Sequence, residues 1–141
     1  MSTVANILNK KGPQFNRLET DTKVINALSV MKSENVSYVI VMNDGNYAGL
    51  FSERDYTQKV VLMGKDARDT AIGEVMTTNL PHISPDGSLA KCMMLMTTYT
   101  TKYLPVFENF SFRGVVTMKD LVKEMIESVD LFKDEEREYA Y

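Results

Sequence analysis

The sequence predicts an α+β chain made of two β-α-β-β-α units related by internal pseudo-twofold symmetry. Three observations carry that prediction. The stretch GLFSERD, Gly49–Asp55, returns as GVVTMKD, Gly114–Asp120, 65 residues later. Slid by that offset with no gap, Asp21 meets Asp86, Met31 meets Met96, Tyr38 meets Tyr103 and Val41 meets Val106. Apolar positions register as well: Leu18 with Ile83, Val24 with Leu89, Leu28 with Met93, Val30 with Leu95 and Leu50 with Val115.

Each element follows from its residues. LETDTKV opens with a short apolar strand, after which Thr20, Asp21 or Thr22 can cap a helix. Val24, Leu28 and Met31, with Ala27 beside them, form one face of that helix. VSYVIVMND is β-branched and apolar, the pattern of a buried strand. Asp44-Gly45 is a strong hairpin signal, and YAGLF is the returning strand. SERDYTQKVVLMG then reads as a helix capped by Ser52 and ended by Gly64. The second unit repeats the order: a strand and cap in HISPDGS, a helix in LAKCMMLMTTY, strands in KYLPVFEN and FSFRGVV, and a helix capped by Thr117. Pro105 predicts an edge position or a strand end. A short helix is expected at 71–76, with a matching piece at 4–8.

Bulk composition sets limits. The 141 residues fit one compact domain or two small fused units. A net charge of -3 argues against a chain built for nucleic acid, which carries a basic excess. One cysteine allows no internal disulfide and suits a reducing compartment. Cys92 sits in an apolar helical run and reads as a core thiol; with one histidine it cannot complete a four-ligand zinc site. No apolar run approaches the roughly 20 residues that span a bilayer. The expectation is a soluble, intracellular protein, cytoplasmic, with no metal and no catalytic cofactor. One histidine, one cysteine and no nucleophile-base constellation also predict that it is not an enzyme.

The repeated motif has chemistry of its own. Its glycine admits close backbone approach. Its hydroxyl lies at a helix start, where unpaired N–H groups favour an anion such as phosphate. The basic residue, Arg54 or Lys119, adds positive charge, and the carboxylate of Asp55 or Asp120 can accept hydrogen bonds from a ribose diol. Phosphate donors beside a diol acceptor suggest a nucleotide. The same Ser/Thr-x-x-Asp pattern is also a capping box, in which the acid merely reaches back to the cap. The motif alone leaves both readings open.

The whole order resembles a tandem pair of cystathionine-β-synthase (CBS) domains. The carrying residues are TDTKVINALSVMKSENVSYVIVMNDGNYAGLFSERD and SPDGSLAKCMMLMTTYTTKYLPVFENFSFRGVVTMKD, joined through IGEVMTTN. The resemblance covers about residues 4–128 and is nearest to stand-alone two-CBS proteins related to inosine-monophosphate dehydrogenase that lack its catalytic barrel. It implies a first CBS domain at 4–64 and a second at 71–128; beyond them, 129–141 is acidic and charge-rich and reads as a charged C-terminal helix or tail. It also implies regulatory binding of an adenosine nucleotide (AMP, ADP, ATP or NAD(H)) or S-adenosylmethionine in clefts between the units. The family's ribose-binding Asp matches Asp55 and Asp120, and its hydroxyl matches Ser52 and Thr117. Backbone that meets adenine matches Ser37, Tyr38 and Val39, and Lys102, Tyr103 and Leu104. First-strand residues lining the cleft match Asn16, Arg17 and Leu18, and Pro81, His82 and Ile83. Arg54 and Lys119 match positions that meet phosphate; Lys59 and Thr77 are lesser candidates. Ile40 stands where the second unit has the family's common Pro105.

Other features have plainer readings. His82 reads as a partly exposed strand residue, with a ligand contact as the alternative. Lys10 and Lys11 read as a solvated pair. The helical faces at 24–31 and 89–96 fit a homodimer of CBS pairs. The function expected is a nucleotide-sensing regulatory module acting on an effector protein in trans, with no nucleic acid or membrane partner. The alternative is a ligand-free dimerisation and interaction scaffold.

Overall fold

The computed structural model describes residues 2–128; the charged segment expected at 129–141 lies outside the described residues. The chain divides into two compact units, one formed by Pro13–Asn79 and the other by the N-terminal stretch through Gly12 together with the chain from Leu80 onward. This cut differs from the boundaries of the sequence repeat. The helix that precedes the first repeat, α1 (Val4–Lys11), belongs to the unit of the second repeat. The short helix that precedes the second repeat, α4 (Ile72–Val75), belongs to the unit of the first. Apolar burial explains the exchange: Val4 and Ile7 enter one core, Ile72 and Val75 the other.

In the Pro13–Asn79 unit, β1 (Arg17–Glu19), β2 (Tyr38–Asn43) and β3 (Asn46–Ser52) form a sheet in that order, β1–β2 parallel and β2–β3 antiparallel. Helix α2 (Val24–Glu34) buries Val24, Ala27 and Met31, the face expected. Its cap is Lys23, not Thr20, Asp21 or Thr22, and no side chain caps it. The unpaired N–H groups of Val24 and Ile25 donate instead to the carbonyls of Thr70 and Ala67, at 2.9 Å each, which removes the need for a side-chain cap. The segment after β3 is not a single α-helix. A short α3 (Glu53–Asp55) passes into a π-helical turn over Tyr56–Val61, with the Leu62 N–H reaching the Thr57 carbonyl.

The other unit holds α1, α5 (Leu89–Thr98), β4 (Tyr103–Glu108), β5 (Ser111–Thr117) and α6 (Met118–Ser128). The strand expected in HISPDGS is reduced to one parallel bridge between Ile83 and Val106. Proline chemistry explains the loss. In the first unit the Ile40 N–H donates to the Asn16 carbonyl at 2.7 Å. The repeat-equivalent residue is Pro105, which has no N–H to give to Pro81. What survives is Ile83 N–H to the Pro105 carbonyl (3.1 Å) and Phe107 N–H to the Ile83 carbonyl (3.0 Å). Pro105 therefore turns its donor-less side to this thin edge while β4 still pairs with β5.

Cys92 is fully buried in the core of this unit, and burial pushes its thiol pKa up. Met96 joins it there, while Met94 on the same helix is exposed.

Candidate functional site

Both copies of the motif fold into the same turn. In each, β2 or β4 starts beside the end of its hairpin partner: Tyr38 pairs with Ser52, and Tyr103 with Thr117. The first helical N–H then donates back to the residue preceding the strand, Glu53 to the Ser37 carbonyl (3.1 Å) and Met118 to the Lys102 carbonyl (2.9 Å). The hydroxyl residue, the acid and the strand-start backbone are thus brought together twice. The motif glycine is needed for a different reason in each copy. At Gly49 a side chain would run into the Thr77 carbonyl, whose oxygen lies 2.7 Å from where a Cβ would sit. Gly114 instead has φ +142°, which L-residues rarely adopt.

Each Asp closes a reciprocal capping box. The Ser52 N–H donates to Asp55 Oδ2 at 2.9 Å, and the Asp55 N–H donates to Ser52 Oγ at 3.3 Å. The Thr117 N–H donates to Asp120 Oδ2 at 2.9 Å, and the Asp120 N–H to Thr117 Oγ1 at 3.1 Å. The structural reading of the motif is therefore real in both copies. What differs is how much of the carboxylate remains.

Asp55 is buried, its side chain 6 % exposed. Its Oδ2 accepts a second bond from the Ser52 hydroxyl (3.2 Å). Its Oδ1 accepts from the Thr77 hydroxyl at 2.7 Å and from the Lys59 ammonium at 2.9 Å. Thr77 is delivered by a backbone bridge to Leu50, two bonds of 2.8 and 3.0 Å. Lys59 lies one turn after Asp55 and also donates to Thr77 Oγ1 at 3.1 Å. With four donors on two oxygens, the carboxylate's acceptor capacity is filled.

Asp120 is more open, its side chain 19 % exposed. Its Oδ2 accepts from Thr117 and from the Lys11 ammonium at 2.8 Å; among the described residues no hydrogen bond reaches Oδ1. Lys11 also donates to the Val115 carbonyl at 3.0 Å. Lys10 beside it pairs with Glu124 (3.0 Å) and Glu127 (3.1 Å), and the Ser2 hydroxyl donates to Glu124 at 2.7 Å. The lysine pair expected to be solvated is thus an ionic latch. Glu124, buried, is held below the usual carboxyl range first by the Ser2 hydrogen bond and then by Lys10; Lys10 is raised in turn by Glu124 and Glu127.

Sequence reasoning missed Lys11, Lys10 and Glu124, yet a signal was present. The repeat-equivalent of Lys59 is Glu124. Where the first copy follows its Asp with a base one turn on, the second follows it with another acid. Two stacked carboxylates need cations from elsewhere, and α1 supplies them.

The remaining candidates divide. Asn16 is buried, donating through Nδ2 to the Tyr38 carbonyl at 3.1 Å. Tyr38, Val39 and Leu104 are buried, and Ile83 closes the thin sheet edge. Arg54, Lys119, Arg17 and Lys102 are all exposed. His82 is exposed and stacks on Phe107, ring centroids 4.5 Å apart. Among the described residues no group of three His, Cys, Asp or Glu side chains could hold a metal ion. No described helix is long and apolar enough to cross a membrane.

The family model of the CBS domain matches residues 4–61 and again 72–127. The chain belongs to the CBS-domain family. It is 27 % identical over 134 residues to the CBS domain-containing protein CBSX3, mitochondrial, of Arabidopsis thaliana, covering 89 % of this chain but 65 % of that protein. It is 32 % identical over 95 residues to YhcV of Bacillus subtilis, 67 % of each chain. Among solved structures, the CBS domain protein NE2398 matches with a TM-score of 0.82 and 31 % identity over 89 % of this chain and 98 % of that one. The CBS domain pair of protein MJ0100, solved with 5-methylthioadenosine and S-adenosyl-L-methionine, matches in fold with a TM-score of 0.76 at 18 % identity, covering 91 % of this chain and 98 % of that one.

Proposed function

We propose that this CBS pair is a regulatory module that binds an adenosine-containing ligand, AMP, ATP or NAD(H), and acts on an effector protein in trans. The observation that carries the reading is the twice-built turn, which sets a carboxylate beside a strand-start backbone at a helix start. A diol needs acceptors and a phosphate needs cations; Oδ1 of Asp120 accepts no hydrogen bond among the described residues, and Arg54 and Lys119 are the cations nearby in sequence. The adenosine ligands of the MJ0100 pair support the same chemistry. Binding can regulate only through a difference in affinity between two states of the module.

A homodimer is part of this reading, although the faces first expected to form it are used within each unit: Val24, Ala27 and Met31, and Cys92 and Met96, are core residues. Ile25, Met94, Val122 and Ile126 are the exposed apolar positions on the same helices and on α6.

A thermal-shift panel of AMP, ADP, ATP, NAD, NADH and S-adenosylmethionine tests the proposal. A true ligand at a hundredfold its Kd stabilises the fold by about 2.7 kcal/mol, a shift of several degrees. No shift with any member of the panel contradicts it.

A further inference from the structure

The two copies of the motif are not equivalent, and the difference lies in the carboxylate oxygens. Asp55 has four donors on it, all from its own unit: the Ser52 N–H and hydroxyl, Thr77 and Lys59. A ligand diol would have to displace two of them from a buried group. Asp120 keeps the capping bond and one cation on Oδ2, and both acceptor positions of Oδ1 are unused among the described residues. The replacements that cause this are visible in the repeat. Thr77 is matched by Gly12, which has no hydroxyl, and Lys59 by Glu124, which cannot donate when ionised. The lost base is replaced by Lys11 from α1, which approaches Oδ2 and leaves Oδ1 open.

We infer that the second copy alone takes the ligand: Asp120 accepts the vicinal diol of a ribonucleoside, Asp55 is a structural carboxylate, and Lys11 is the positioning residue that orients Asp120. This rests on the nucleotide reading above and sharpens it to one site per chain. It also gives α1 a part in binding. The helix holds Asp120 through Lys11 and is itself held by Lys10 and Ser2 on Glu124, so occupancy of Asp120 and docking of α1 are coupled through one ion pair.

The experiment is a calorimetric comparison of the ribonucleotide with its 2′,3′-dideoxy analogue, using whichever adenosine nucleotide binds the full chain. The wild type should bind about one ribonucleotide per chain and prefer it over the dideoxy form by roughly tenfold to a hundredfold, the worth of hydrogen bonds to a charged group. In Asp120→Asn that preference should shrink to about threefold or less. In Asp55→Asn and in Thr77→Val, which keeps the capping box, it should persist. Lys11→Met should weaken ribonucleotide binding by about tenfold and Lys11→Arg should restore it, which simple loss of α1 packing would not predict. Two ligands per chain, or a preference lost in Thr77→Val and retained in Asp120→Asn, would overturn the assignment while leaving the nucleotide reading intact. No binding of any panel nucleotide to the wild type would overturn both.

Discussion

Asp55 and Asp120 occupy the same place in two copies of one turn, and their surroundings have moved apart. The first carboxylate is enclosed by donors from its own repeat and from the segment that follows it, Thr77. The second is served by a lysine more than a hundred residues away, on a helix that precedes the other repeat. The lesson is that a duplicated motif does not guarantee duplicated surroundings. Two differences, lysine against glutamate at the i+4 position and Thr77 against Gly12, change whether the acid is satisfied locally or left partly open.

The comparison breaks first, and most strongly, on stability. Asp55→Ala removes a cap and leaves Thr77 and Lys59 without their acceptor, so it should cost about 3 kcal/mol in urea denaturation. Asp120→Ala, whose side chain is more exposed, should cost about 1 kcal/mol. Equal losses would mean the two carboxylates do the same structural job.

Next comes the motif glycine. Gly49→Ala forces a methyl against the Thr77 carbonyl and should cost about 2–3 kcal/mol, loosening the bridge that delivers Thr77 to Asp55. Gly114→Ala meets a backbone penalty instead, about 1–3 kcal/mol from its positive φ. Only the first should alter the environment of Asp55, which the NMR chemical shift of its carboxyl carbon at neutral pH would detect.

The latch at the second copy has a pH signature. Glu124 has its folded pKa lowered from an unfolded value near 4.5. A depressed acid stabilises the fold fully above that value, and the contribution is lost as pH falls through the lower folded one. Lys10 has a raised pKa, so its share is present below 10.5 and is lost only at higher pH. Glu124→Gln should therefore lower Tm at neutral pH and flatten the acid limb of the Tm profile below about pH 4.5. An unchanged acid limb would remove Glu124 from the account.

The smallest expected effect is a gain. The first hairpin turns through Asp44-Gly45, both with positive φ, while the second turns through Asn109-Phe110 with φ 49° and 67°. Phe110 is fully exposed and has no packing to offset its left-handed backbone. Phe110→Gly should stabilise the protein by about 1 kcal/mol in the same urea experiment. Gly45 needs no such repair.

Much of this was legible in the chain. Periodicity located α2 and α5, the Asp-Gly pair located the first hairpin, and the sliding match located both capping boxes. Pro105 announced an edge, though not that its missing N–H would reduce the strand around Ile83 to a single bridge. The π-helical turn left no mark in composition, because it depends on hydrogen-bond spacing and not on residue type. Lys10 and Lys11 read as solvated because their partners are Asp120 and Glu124, and long-range pairing has no local pattern. The exchange of α1 and α4 between repeats was hidden for the same reason: each short helix carries apolar residues that suit either core.

The measurement that tests the central claim most directly is a calorimetric titration of the purified chain with AMP, ATP and NAD, repeated on Asp55→Ala and Asp120→Ala. The account predicts saturable binding at about one ligand per chain, weakened roughly tenfold to a hundredfold by the Asp120 change and kept by the Asp55 change. Silence across the ligands from a folded protein would contradict it, leaving the repeated turn as a structural cap and the CBS pair as an interaction scaffold.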